Sequence, residues 1–324
     1  MVGRLPISYM PQAGRGLIMA TTEAAPKQHM SGGDTLPGFL YALTAYLLWG
    51  VLPLYLKMVN HIPALEIVAH RVVWSLPIAA VVLAVRGRLG DIGALVRQPK
   101  TMAMAVLTAA LVTGNWLTYV YAIVTDRALD AALGYYINPL ISILIAAAFL
   151  GERLRKAQVA AVVFAAIAVA ILAWDAGGLP WISLTLAGSW GFYAFFKRSL
   201  PLGPNQGFFL EVAILSVPAL VYIVFLEGQG VGHYLHGSGL NDVWLLMFSG
   251  VATAVPLMIY ANGAKLLRLS TIAIMQYIAP TMVFLMAVFL FREPFGMAKL
   301  VAFGFIWAAL IVYTASMVRG SSGK

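Results

Sequence analysis

The chain carries the same pattern twice, 141 residues apart. Residues 135–154 (YYINPLISILIAAAFLGERL) lie over 276–295 (QYIAPTMVFLMAVFLFREPF) with 6 identities in 20 positions, among them Tyr136/Tyr277, Pro139/Pro280 and Glu152/Glu293. The same offset pairs Trp49-Gly50 with Trp190-Gly191, Pro77 with Pro218, Tyr119 with Tyr260 and Arg127 with Arg268. Shared Ala and Leu mean little in an apolar chain; shared Pro, Tyr, Trp-Gly and Glu mean more. The period is far longer than the roughly 20–50 residues of a solenoid repeat, so the copies are half-molecules.

The solvent for these halves follows from composition. The chain is 61% hydrophobic and 10% charged, with a mean hydropathy of +0.88. A soluble domain carries about 25% charged residues, so this one cannot clothe itself for water. Ten apolar stretches can be drawn, at 38–58, 64–85, 102–124, 130–150, 157–174, 179–196, 207–226, 243–262, 270–291 and 297–317. Each approaches the roughly 20 residues that cross a hydrocarbon core. Continuous apolar runs without period-two alternation do not build a barrel wall. The expected fold is an all-α polytopic membrane protein of ten transmembrane helices.

A net charge of +9 could suggest nucleic acid, but the placement of the charges argues for topology. Of 21 Lys and Arg, 16 fall on the side that holds both termini, 4 on the other, and Arg71 lies within a span. By the positive-inside rule both termini are cytoplasmic, and no nucleic-acid partner is expected; the lipid bilayer is the surrounding phase. The absence of cysteine excludes disulfides and thiol chemistry. Residues 1–37 form a polar, Gly- and Pro-containing lead without the apolar core of a signal peptide. The lead is expected to be disordered and cytoplasmic, with Met19 and Met30 as alternative starts, and 319–324 form a cytoplasmic tail.

The halves divide near Asp175-Ala176-Gly177-Gly178, as 38–177 and 178–318. Five spans is an odd number, so the second half enters the membrane from the opposite face. Such inverted repeats commonly build secondary transporters with the substrate site between them. Glu152 is followed by Arg153, Arg155 and Lys156, whereas Glu293 is followed by Pro294-Phe295, as opposite orientations require. Pro139 and Pro280 sit mid-span, and each leaves without a partner the carbonyl four residues earlier. Such a carbonyl is tolerated where protein or a wet cavity satisfies it. Asn138 and Gln276 add amides at that depth. The reading is a pair of kinked helices lining a central cavity, with Trp49, Asn115, Tyr119, Tyr136, Asn138, Trp190, Tyr260, Gln276 and Tyr277 as candidate walls. Core packing competes with ligand contact for each of these side chains.

Ionisable groups inside spans face the bundle interior. Glu66 and His70 are four apart and share a helix face; Arg71 lies about 100° round, one residue further along a 3.6-residue turn. Glu211 occupies span seven, offset from Glu66 by 145. These four are candidates for a proton or charge relay, or for a structural ion pair in which Glu66 neutralises Arg71. The Ala-rich span 157–174 reads as a close helix contact or a dimer seam, which leaves a homodimer open. No HExxH, GxSxG or Walker-type glycine motif is present, so no catalytic residue, metal site or cofactor is expected. GQGVGH at 228–233 reads as a flexible loop.

These segments resemble the EamA-type members of the drug/metabolite transporter superfamily, specifically the RarD family. The resemblance rests on AYLLWGVLPLYLK (45–57), PALEIVAHRVVWS (63–75), NW (115–116), LGYYINPLISIL (133–144), FLGERL (149–154), LPW (179–181), FFLE (208–211), STIAIMQYIAPT (270–281) and FLFREPF (289–295). It implies ten helices in two EamA repeats, residence in the inner (plasma) membrane, and alternating-access movement of a small-molecule solute (a metabolite or drug-like compound), with proton coupling expected. The alternatives are an intramembrane enzyme or a membrane assembly protein, and less so a channel, which would need a continuous polar pore.

Overall fold

The computed structural model describes residues 34–321 apart from 199, 201 and 238. Nearly all of the expected lead therefore lies outside the described residues, as does the end of the expected tail. The helices in chain order are α1 (Leu36–Met58), α2 (Ala64–Val85), α3 (Gly90–Val96), α4 (Pro99–Val124), α5 (Ala128–Leu150), α6 (Lys156–Asp175), α7 (Trp181–Lys197), α8 (Pro204–Gly228), α9 (His233–His236), α10 (Leu240–Gly263), α11 (Leu269–Met275), α12 (Ile278–Leu285) and α13 (Met297–Ser321). A 3₁₀ turn (Ala264–Leu266) follows α10 and a π turn (Met286–Leu290) follows α12. Among the described residues nine helical segments are long and apolar enough to cross a membrane. With α7, at 17 residues, they make the ten spans.

The internal repeat governs the packing. α10, α11 and α13 begin 141 residues after α4, α5 and α6. Contacts come in exchanged pairs: α1 packs on α10 as α7 packs on α4, and α5 packs on α7 as α12 packs on α1. α2 meets its counterpart α8, and α6 meets its counterpart α13. The short helices α3 and α9, which fall outside the ten apolar stretches, occupy equivalent connections in the two halves.

Local chemistry sets the ends. Thr35 accepts the Gly38 N–H at the start of α1, satisfying one of the donors a helix start leaves free. Asp34 accepts the Arg268 N–H at 2.8 Å and the Thr271 hydroxyl at 2.7 Å, tying the chain ahead of α1 to the start of α11. Those two bonds, the backbone one foremost, hold the Asp34 carboxyl below its ordinary value. α5 ends at Gly151, whose φ of 67° is the left-handed cap that glycine takes without strain.

The span expected at 270–291 is not one continuous helix. α11 stops at Met275 and α12 starts at Ile278, so the break falls on Gln276 and Tyr277, beside the carbonyl that Pro280 cannot pair. α5 runs unbroken through Pro139, and it approaches α7 so closely that a Cβ on Gly134 would sit 2.9 Å from the Ser183 carbonyl oxygen. The Ala-rich stripe of α6 is used inside the chain. Its buried residues Ala161, Ala165, Ala168 and Leu172 lie where α6 packs on α13, and a dimer would have to use another face.

Candidate functional site

A cavity of about 170 Å³ opens at the centre of the bundle. Five pairs of its wall residues are related by the 141-residue offset: Trp49 with Trp190, Trp116 with Leu257, Tyr119 with Tyr260, Tyr135 with Gln276, and Asn138 with Ala279. The cavity therefore sits between the halves, which share five equivalent positions in its wall. Tyr46, Leu52, Arg71, Thr253, Pro280 and Val283 complete much of the rest of the wall. Tyr46, Trp49 and Tyr260 form a triangle of rings with centroids 5.4–5.6 Å apart. This spacing suits edge-to-face aromatic contact.

Seven of the nine wall candidates thus line the cavity, namely Trp49, Asn115, Tyr119, Asn138, Trp190, Tyr260 and Gln276. Asn115 is fully buried and fastens α4 to α7: its Nδ2 donates to the Leu186 carbonyl at 3.1 Å and to Ser189 Oγ at 3.0 Å, and its Oδ1 accepts from the Tyr135 hydroxyl at 3.1 Å. Tyr136 and Tyr277 lie beside the cavity, not on its wall. Their rings stack on each other at 6.3 Å, and the Tyr136 hydroxyl is 2.7 Å from Thr281 Oγ1. The reason is helical phase: neighbours on a helix point about 100° apart, and on α5 it is Tyr135 that takes the cavity face.

The ionisable candidates separate rather than forming one cluster. The Glu66 carboxylate accepts the His233 backbone N–H at 2.6 Å, and its other oxygen lies 2.8 Å from His233 Nδ1. Glu66 thereby caps α9 and pins the end of the 228–233 segment that the glycines suggested was loose. His70 stacks on Tyr234 at 5.2 Å, with neither ring nitrogen hydrogen-bonded. Arg71, one step round α2, faces the cavity and donates from Nε to Thr253 Oγ1 at 2.9 Å. Its expected partner Glu66 is engaged elsewhere. Glu211 pairs with Lys197 at 2.6 Å and accepts from the Tyr193 hydroxyl at 3.2 Å.

One end of the bundle is tied across the halves. Glu293 accepts the N–H groups of Ala128 and Leu129 at 2.6 and 2.9 Å, two of the unpaired donors at the start of α5. His61 pairs with Asp242 at 3.0 Å, and the Tyr55 hydroxyl donates to the Leu245 carbonyl at 2.8 Å. Burial follows the same end. The buried residues of α5 run from Ala128 to Leu140 with only Ile145 beyond, and those of α7 stop at Gly191. In α12 and the π turn they are Pro280, Val283, Phe284 and Ala287.

Comparison with known proteins places this architecture. The model of the EamA-like transporter family matches residues 36–174, from the start of α1 into the end of α6. A protein named RarD from Salmonella typhi is 38% identical over 289 residues, which are 89% of this chain and 98% of that one. The chain belongs to the EamA-like transporter family. Other RarD-type relatives agree: the Escherichia coli K12 protein named RarD is 36% identical, with 89% of this chain and 97% of that one covered. A Vibrio cholerae protein named only as a transporter is 39% identical, with 88% and 94% covered. A solved crystal structure, 22% identical over 87% of this chain and 98% of its own, has the same fold at a TM-score of 0.53. This EamA-type chain is therefore a multi-pass membrane protein. Three of its polar and aromatic wall residues, Tyr46, Tyr135 and Thr253, are not singled out by the sequence. The 141-residue offset could have pointed to Tyr135, since its partner Gln276 was already a candidate.

Proposed function

We propose that this chain is a secondary transporter of the inner (plasma) membrane that carries a small organic solute through the central cavity by alternating access. The observation that carries this reading is the unequal state of two equivalent glutamates. Glu293 is buried and holds the start of α5 at Ala128 and Leu129. Glu152, its counterpart 141 residues earlier, is exposed. The positions that Glu152 would hold by the same relation are Leu269 and Ser270, the start of α11. Inverted repeats reach their second state when the two halves exchange conformations. In that exchange Glu293 releases α5 while Glu152 takes hold of α11, so one mouth opens as the other shuts. With both termini cytoplasmic, the end now tied by Glu293 is the outer one.

Proton coupling is part of the reading. It is supported by the carboxylate–imidazole contact of Glu66 with His233, which links the first half to α9 of the second. A carboxylate facing an imidazole at 2.8 Å between the two halves has the geometry of a proton relay.

The test uses the cysteine-free background. Single cysteines placed at Tyr46 and, separately, at Leu52 are reacted with a membrane-impermeant thiol reagent from each side of inside-out and right-side-out vesicles. Glu293→Gln should raise labelling from the outer side, and Glu152→Gln should leave the present state favoured. Labelling from the same side in all three backgrounds would defeat the alternating-latch reading.

A further inference from the structure

Among the described residues the cavity wall contains one formal charge, and no acidic side chain pairs with it. Arg71 is 4% exposed. Its Nε is spent on Thr253, its guanidinium carbon lies 5.5 Å from the centre of the Trp116 ring, and its Nη1 meets no acceptor. The glutamates buried in the surrounding bundle are committed elsewhere: Glu66 to His233, Glu211 to Lys197, and Glu293 to the start of α5. An unpaired charge in a membrane interior is costly, and where it persists it marks a solute or ion path. The Arg–Thr bond and the Trp face fix the guanidinium plane without supplying a counter-charge.

We infer that the carried solute is a small organic monocarboxylate. This rests on the transporter reading of the same cavity. With Nε engaged, the edge of the guanidinium that carries its two terminal nitrogens matches the two oxygens of a carboxylate, and a sheltered site strengthens the pairing. A cation would meet a like charge, a neutral solute would leave Arg71 unpaired, and a dianion would bring one negative charge too many. The body of the solute is apolar or aromatic, because aromatic and aliphatic side chains, Tyr46, Trp49, Trp190 and Tyr260 among them, make up most of the remaining wall. Asn138, whose Oδ1 has no partner, offers an acceptor to a hydroxyl or ammonium group on that body.

The test compares solutes of one shape and different charge. Full-length protein in detergent is heated with phenylacetate, 2-phenylethanol, phenethylamine or phenyl phosphate, and with the indole-3-acetate, tryptophol and tryptamine set. The carboxylates are expected to raise the melting temperature, and their alcohol and amine analogues are not. In Arg71→Gln the half-saturating carboxylate concentration should rise about ten- to a hundredfold, the usual worth of hydrogen bonds to a charged group. Arg71→Lys should keep the preference for acids at lower affinity. Should Arg71→Gln fail to fold, Thr253→Val removes the bond that orients the guanidinium, together with the hydroxyl's own bond to the Ser249 carbonyl within α10, and should weaken carboxylate binding severalfold. Equal or greater protection by the alcohols, amines or phenyl phosphate overturns the inference, and so does the absence of protection by either acid. Flux into liposomes separates the two readings. Uptake of the alcohols or amines with the acids inert removes the anion assignment and keeps the transporter. Acid-specific protection with no flux of any solute keeps the Arg71 site and removes the transporter.

Discussion

Glu66 on α2 and His233 at the start of α9 are joined twice, through the backbone N–H at 2.6 Å and the ring Nδ1 at 2.8 Å. Arg71, five residues further along α2, takes no part. Glu66→Gln keeps an oxygen for the His233 N–H but loses the charge that faces the ring. It is expected to destabilise the protein by about 1.5–3 kcal/mol, the worth of a hydrogen bond to a charged group, and to abolish pH-driven accumulation while sparing exchange of solute. Arg71→Gln should shift stability by the same amount with Glu66 or with Gln at position 66, since the arginine is not the partner being neutralised. A larger gain from Arg71→Gln in the Glu66→Gln background than in the parent would contradict this assignment, and full pH-driven uptake by Glu66→Gln would remove Glu66 from coupling.

The two prolines should differ. Pro280→Ala gives the Gln276 carbonyl its N–H and should join α11 to α12, raising stability by about 1–3 kcal/mol and slowing solute movement. Pro139→Ala acts on a helix already continuous, and its effect on transport should be smaller. Melting temperature and counterflow on both variants decide the matter; equal transport by the two would leave the break at Gln276 without a role.

Orientation can be read with reporter fusions. Fusions after Lys100, Arg198 and Arg319 should report the cytoplasm, and fusions after Asp126 and Gln229 the outside. An external reading at any of the first three would invalidate the proposed topology.

The approach of α10 to α2 is set at Gly250, where an added Cβ would overlap the Trp74 main chain. Backbone cannot swing aside as a side-chain tip can, so Gly250→Ala should cost about 1–3 kcal/mol. Gly114→Ala on α4, where a Cβ meets nothing within 4 Å, is the control and should be neutral or slightly stabilising, as alanine favours helix. Equal melting temperatures for the two variants would show that the helices part without penalty.

The ten spans could be drawn from the sequence because a bilayer leaves little choice: about 20 apolar residues either cross it or have no place to go. The repeat was legible because Pro, Tyr, Trp-Gly and Glu recur at one spacing. The helical phase of Tyr135 against Tyr136 was not, since two adjacent tyrosines in an apolar run give no sign of which faces inward. The partner of Glu66 was hidden for a different reason. His233 lies 167 residues away in a polar connection, and His70 and Arg71, far closer in sequence, looked like better company. The break in the ninth span was not legible because both spans carry a mid-span proline, yet one helix runs through it and the other interrupts at the residues just before it.

The near-matching walls of the cavity have a consequence for thermodynamics. Where Trp49 answers Trp190 and Tyr119 answers Tyr260, the proposed exchange of the halves would hand the body of a bound molecule similar aromatic surroundings, while Arg71, with Val212 at the equivalent position, stays its single charged anchor. A carrier whose inward and outward forms bind with similar affinity favours neither direction, because ligand shifts an equilibrium only through a difference in affinity. Import and export would then be one reaction run two ways, and the gradients of solute and proton across the membrane would choose between them.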